Sequence, residues 1–371
     1  MHGRDEFPRA GESLAAAPGP AGGAGYLRRR GRTALVLAGL LAAALPAAGP
    51  CGNFETTIEV TSAQERGPGS LRQAIERANE IGDNVRIVSR LPAGSRVTVT
   101  AQLPPLKGYG VQLDARGLTL VGGACWRPDG RPGCDGLVVS GPNIVVRGLR
   151  AEHFMFDGIA VRGASADHVV IEDCRARENL DDGIGISAKA GKVTVRGCLL
   201  EKNGFRTKGK GILVFDEADA ELVDNTVRGN RDGVTVSRRA RARLLGNRIV
   251  ENYDKGLGVA GAYVTGRGNR IERNGRPAAS GEKPPNGDGL RVTLGSRVLL
   301  EQTQIRGNGD AGVVVLDDST VSLAGAVIEE NGGTGVDVRD QGVIELHEVS
   351  LARNRGGPFS VAGAGKIVRT R

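Results

Sequence analysis

A glycine followed by an aliphatic residue recurs through most of this chain at almost constant spacing. The copies are Asp135-Gly136-Leu137, Asp157-Gly158-Ile159, Asp182-Gly183-Ile184, Lys210-Gly211-Ile212 and Asp232-Gly233-Val234. They continue as Lys255-Gly256-Leu257, Asp288-Gly289-Leu290, Ala311-Gly312-Val313 and Thr334-Gly335-Val336, with a weaker copy at Gly357-Pro358-Phe359. Successive glycines are 22, 25, 28, 22, 23, 33, 23, 23 and 22 residues apart, so the ground period is 22–23 with insertions in three copies. A fixed period of this size means one supersecondary unit stacked on itself. Gly is 58 of 371 residues, yet no Gly-X-Y register runs through the sequence, which excludes collagen.

A second marker travels with the glycine. Asn179, Asn203, Asn230, Asn252, Asn274, Asn308, Asn331 and Asn354 each precede the next glycine turn. Alternating stretches lie just upstream, such as Val223 to Asn230 and Leu245 to Asn252. Each period therefore holds three short strands: one after the glycine, one mid-coil and one ending at the Asn. A single such coil cannot bury its apolar face. Stacked coils can, with each strand pairing to its copy about 4.8 Å above. The inward Val, Ile and Leu become columns, the Asn residues a ladder, and the repeat glycine is expected to supply positive φ at the bend.

This pattern resembles the right-handed parallel β-helix repeat of the pectate-lyase-like superfamily, over residues 57 to 371. It implies an all-β, single-stranded right-handed parallel β-helix, with three short strands per coil and about ten coils. The stretch from Glu59 to Asn79 resembles the entry of exported β-helices, where a short helix closes the open end of the column. Ser70 and Gln73 make a capping box there, and Leu71, Ala74, Ile75 and Ala78 give one apolar face. The domain boundaries expected are a leader over 1–50, a cap with the first coils over 51–134, and repeats over 135–371.

Arg28, Arg29, Arg30 and Arg32 precede an apolar run from Ala34 to Leu45, followed by small residues. This reads as a signal peptide, with 34–45 as its apolar region. The run is too short for a retained span, which needs about 20 residues, so the mature chain is expected to have no membrane span. Periplasmic, cell-surface or extracellular placement follows. Cys125 and Cys134 bracket a Gly/Pro-rich loop and are read as a disulfide, which suits export. Pro50 beside Cys51 argues against lipidation. Cys174 and Cys198 each lie five residues before a ladder Asn, so they should stack in adjacent coils.

The net charge is +8, of which residues 1–50 hold six Arg against three acids, leaving +5 for the remainder. No basic stripe with interleaved aromatics is present, so nucleic acid is not an expected partner. An acidic polysaccharide is. Leu180-Asp181-Asp182-Gly183-Ile184 resembles the paired-carboxylate motif of polygalacturonase-like hydrolases, but their Gly-His-Gly turn and Arg-Ile-Lys strand are missing. Asp182 is also the ordinary repeat Asp.

Two insertions, one around Arg206 and Lys208 and one from Arg276 to Asn286, flank a saddle of three coils on the turn before the glycine. Asp181, Asp182, Lys208 and Tyr253 are its candidate catalytic groups. Arg206, Asp232, Asp254 and Lys255 are its candidate substrate contacts. No metal site and no cofactor is expected; calcium would suit uronate chemistry, but no motif supports it. Whether the chain is an enzyme stays open. The readings are a carbohydrate-interacting scaffold, a lyase, hydrolase or epimerase of an acidic polysaccharide, and a periplasmic accessory factor of a membrane complex.

Overall fold

The computed structural model describes residues 56–126, 130–205, 209–275 and 286–370. The leader, Cys51, Arg206 and Lys208 lie outside them. The strands form three parallel sheets that wind into a solenoid of about 12 turns. Ten strands follow the glycine turns, thirteen form the mid-coil sheet, and eleven end near the Asn turns. The ten glycine copies match the ten strands of the first of these sheets. The additional N-terminal strands of the other two sheets carry no glycine–aliphatic signature.

Pairing keeps like residues in vertical register. In the ten-stranded sheet Ile159, Ile184, Ile212, Val234, Leu257, Leu290, Val313, Val336 and Phe359 form one inward column. All but the last are essentially inaccessible to solvent. A complementary column in the Asn-side sheet holds Ala176, Leu200, Val227, Ile249, Ile271, Ile305 and Ile328. Short strands suffice because every strand but the outermost is paired on both sides.

The Asn residues form the expected ladder. Asn203 Oδ1 accepts from the backbone N–H and side-chain Nδ2 of Asn179, at 3.1 and 3.0 Å. Its own Nδ2 donates to Ala176 O and Asn230 Oδ1, at 3.1 and 2.9 Å. The chain of amides runs on to Asn354. A second ladder joins Asn225, Asn247 and Asn269. Cys198 leads into it, since its N–H donates to Asn225 Oδ1 at 2.9 Å. Cys174 and Cys198 stack one coil apart, both buried with free thiols, beside the paired strand residues Arg175 and Leu199.

The repeat glycine is needed for a different reason from the one expected. Among the repeat glycines before Gly357, none has positive φ. A Cβ on Gly233 would instead lie 2.3 Å from Gly256 O, 2.5 Å from Ile249 Cγ2 and 2.9 Å from Asn252 Nδ2. Gly183, Gly256 and Gly289 meet the same obstruction from the ladder amide and the next coil's carbonyl. Positive φ falls on the residue before each ladder Asn, often a charged one such as Glu178, Lys202 or Glu251.

The helix spans Leu71–Ile81 and packs Leu71, Ala74, Ile75 and Ala78 inward. Ser70 Oγ accepts from Gln73 N–H at 3.2 Å, as the capping box requires. Gln73 Oε1 reaches one residue further back, to Gly69 N–H at 2.9 Å. Gly82, in the left-handed region, ends the helix. Cys125 and Cys134 form the expected disulfide, with Cα atoms 5.6 Å apart.

Two outcomes test this account. Gly233→Ala is expected to lose about 1–3 kcal/mol of stability in urea denaturation, because neither the amide nor the carbonyl can withdraw. Hydrogen exchange is expected to be fastest in the last coil, whose strands Phe359–Val361 and Lys366–Thr370 are mostly accessible. It should be slowest over residues 157–260; uniform protection to the C-terminus would contradict this.

Candidate carbohydrate-facing edge

The residue before each repeat glycine enters the ten-stranded sheet from one turn. The glycine N–H groups bond to the next coil in register: Gly136 to Asp157 O at 2.9 Å, Gly158 to Asp182 O at 3.0 Å, Gly183 to Lys210 O at 2.8 Å. Gly233 and Gly256 continue to Lys255 O and Asp288 O. Asp135, Asp157, Asp182, Lys210, Asp232, Lys255 and Asp288 are therefore stacked along one edge. Five carboxylates and two ammonium groups share a column set by backbone pairing.

The N-terminal half is built of carboxylates. Asp135 Oδ1 accepts from Asp157 N–H at 3.2 Å, Asp157 Oδ1 from Asp182 N–H at 3.2 Å, and Asp182 Oδ1 from Lys210 N–H at 2.6 Å. Arg162 crosses the sheet face and clamps both oxygens of Asp135, at 3.0 and 2.8 Å. It also reaches Asp157 Oδ2 at 3.0 Å. That oxygen lies over Gly185, where a Cβ would come within 2.4 Å of it. Burial, then the Asp135 charge, pushes the Asp157 carboxyl up to about 7, against the pull of Arg162. Burial and the Asp157 charge hold Asp182 well above the usual carboxylate range. Asp157 and Asp182 are neighbours in this stack, so the charge of one opposes ionisation of the other.

Further along, Lys255 Nζ bridges Asp232 Oδ2 at 3.1 Å and Asp254 Oδ2 at 3.3 Å. Its stem passes Gly258, which leaves room for it. Burial opposes the Lys255 charge, but Asp232 and Asp254 more than offset this and hold its pKa above the usual value. Burial raises Asp232, with Lys255 opposing. Tyr253 is buried, its ring 6.4 Å from that of Phe205 and 5.3 Å from the Arg231 guanidinium. Asn286 donates its backbone N–H to Asp254 Oδ1 at 3.1 Å. The structure thus brings Asp182, Asp232, Tyr253, Asp254 and Lys255 to one edge, with the half-buried Asp181 beside Asp182. Arg206 and Lys208 lie outside the described residues. Among the described residues, no group of three or more His, Cys, Asp or Glu could hold a metal ion.

The family described as right handed beta helix region matches residues 129–219 and 210–370, well over half the sequence. The chain belongs to the right-handed β-helix family. A search of curated proteins finds no significant match. Among solved structures, the A-module of the Azotobacter vinelandii mannuronan C-5 epimerase AlgE4 is similar, at 14% identity and a TM-score of 0.61. That likeness covers 85% of this chain and all of the module. PfbA, a surface adhesin of Streptococcus pneumoniae, is 12% identical with a TM-score of 0.56, over 84% of this chain and 93% of its own. The pectate lyase Pel9A is 16% identical with a TM-score of 0.51, over 82% and 79%. These likenesses establish the β-helix fold.

Three residues of this β-helix edge escape a reading of the sequence. Asp135 and Asp157 look like ordinary turn residues, and Arg162 like an isolated outward strand position. The available signal is Arg162 five residues after Asp157 and two after Ala160, the strand position that becomes Gly185 in the next coil.

The raised carboxyls have a consequence for stability. Asp157 titrates near 7 in the folded chain and near 3.8 when unfolded. The folded state therefore holds the extra proton between these values. Its contribution is complete below about pH 4 and is lost as pH rises through 7. Asp157→Asn is expected to flatten the loss of stability over that window, read from urea midpoints at a series of pH values.

Proposed function

We propose that this chain is an exported β-helix scaffold that binds an acidic polysaccharide along the stacked edge. The observation that carries this is the run of charged side chains from Asp135 to Asp288, repeated once per coil on one line. A coil rise of about 4.8 Å offers a polymer a ladder of hydroxyl acceptors with cations between them. In this reading Arg206 and Lys208 neutralise uronate carboxylates, and Asp232, Asp254 and Lys255 line the path. The arginine-led apolar leader and the Cys125–Cys134 disulfide support export. No helix of the described residues is long and apolar enough to cross a membrane. The β-helix neighbours named for mannuronan epimerisation and pectate cleavage lend the substrate class further support.

A second reading, lyase or epimerase activity, is favoured by the Asp157 carboxyl at about 7 in contact with Asp182. Such a pair can take up or release a proton at neutral pH. In this reading Asp181, Asp182, Lys208 and Tyr253 surround the sugar carbon that loses its proton.

Affinity electrophoresis through gels containing alginate, pectate or glycosaminoglycan separates these outcomes. Retardation is expected in a uronan gel and not in dextran, and it should fall as salt is raised. Arg206→Ala with Lys208→Ala should weaken it about tenfold. Equal mobility in every gel would refute polysaccharide binding. Ultraviolet-detected elimination, or solvent deuterium entering the uronate, would establish turnover, and Asp157→Asn should then abolish it.

A further inference from the structure

The outer face of the mid-coil sheet carries a column of its own. Arg241, Tyr263 and Arg297 are paired residues of three successive coils. They lie one above another at intervals of about 4.8 Å, so a phenol ring stands between two guanidiniums. All three are exposed, Tyr263 by 40%. Other arginines of this face meet carboxylates: Arg243 pairs with Glu221, and Arg147 and Arg196 with Glu172. Among the described residues, Arg241 and Arg297 have no ion-pair partner, and no ring or guanidinium packs over Tyr263.

The corner beside Tyr263 departs from the repeat as well. Gly261 stands between Arg239 of the coil below and Leu294 of the coil above, and its missing side chain leaves a notch next to the phenol. Leu294 is 66% exposed and holds φ at 58°, a left-handed conformation that is rare for a bulky residue. In other coils this corner carries Lys189, Glu217 or Asp317. An exposed leucine on strained backbone adds nothing to the core; it extends the apolar surface that Tyr263 begins. Asp219, one coil below Arg241, and Asp318, near Gly295, form no ion pair with the column, but they confine the positive stretch to its two coil rises.

We propose that this column is a second binding site, which takes one acidic stretch of a polysaccharide. A pyranose ring lays its C–H face on Tyr263, with Leu294 as a side wall. Arg241 and Arg297 are about 10 Å apart, so they take anionic groups on either side of the stacked ring rather than one group together. A planar guanidinium fork suits a carboxylate or a sulfate equally. The ligand class rests on the function proposed above; the site does not, since it uses another face of the solenoid. A nucleic acid also offers rings and anions, but the single aromatic and the absence of a basic stripe favour the sugar.

NMR of isotope-labelled tyrosine rings in the full chain tests the two sites separately, because Tyr263 reports this column and Tyr253 the charged edge. Tyr263→Phe and Tyr253→Phe assign the signals. The probes are tetrasaccharides of mannuronate, galacturonate and heparin, which separate carboxylate from sulfate, with cellotetraose as the uncharged control and a thymidine tetranucleotide as the competing class. At least one acidic tetrasaccharide should shift the Tyr263 signals, at least tenfold more tightly than cellotetraose. Arg297→Ala and Leu294→Asp should each weaken it about tenfold, with unchanged Tyr253 signals in the free variants showing that both fold. The assignment is overturned if Tyr263 answers no acidic tetrasaccharide, answers cellotetraose or the tetranucleotide as tightly, or is indifferent to Arg297→Ala. Shifts confined to Tyr253 would overturn this site and leave the edge reading standing; shifts confined to Tyr263 would do the reverse.

Discussion

A buried asparagine amide holds each coil to the next, and most other features follow from it. Asn203 uses both donors and accepts twice, so its polar capacity is met inside the protein. Because the amide contacts the coils on both sides, it sets their vertical register. It also occupies the space where a Cβ on the preceding glycine turn would project, as Asn203 does over Gly183, which leaves glycine as the residue that fits. The aliphatic columns then stack without offset. The ladder and the core are two faces of one constraint.

That same register forces side chains of like charge into proximity. The residue before the glycine has no freedom to move sideways, so Asp135, Asp157 and Asp182 lie one above another. Such a stack is tolerable only where protons or cations intervene. Arg162 serves the first two carboxylates, Lys255 serves Asp232 and Asp254, and burial with mutual repulsion raises Asp157 and Asp182 above the usual carboxylate range. Electrostatic tension is thus concentrated on one edge, while the mid-coil sheet carries interspersed ion pairs such as Arg147 and Arg196 on Glu172. The edge is chemically distinct because the stacking makes it so.

The end of the charged column matters as much as its presence. Ala311 and Thr334 replace two charges with small side chains, and the surface sinks where they do. A repeat protein can change its surface relief in this way without changing its backbone, by omitting side chains from a column.

Much of this was legible in the residues. Period, strand number, the principal Asn ladder, the capping helix and the Cys125–Cys134 bridge all depend on local chemistry repeated at fixed intervals. The second ladder, Asn225 to Asn269, was also present in the sequence, but it begins where Cys174 and Cys198 leave off, which disguises the column. The role of the repeat glycine was misread, since a turn glycine and a crowded glycine look alike until the neighbouring coil is in place. The sequence by itself determined the solenoid, because stacking like on like needs only a period. Tertiary structure alone decided which charges meet: Arg162 reaches back 27 residues to Asp135, and Lys255 reaches back 23 to Asp232. Contacts between coils depend on reach and free volume, and neither is written in the spacing of residues along the chain.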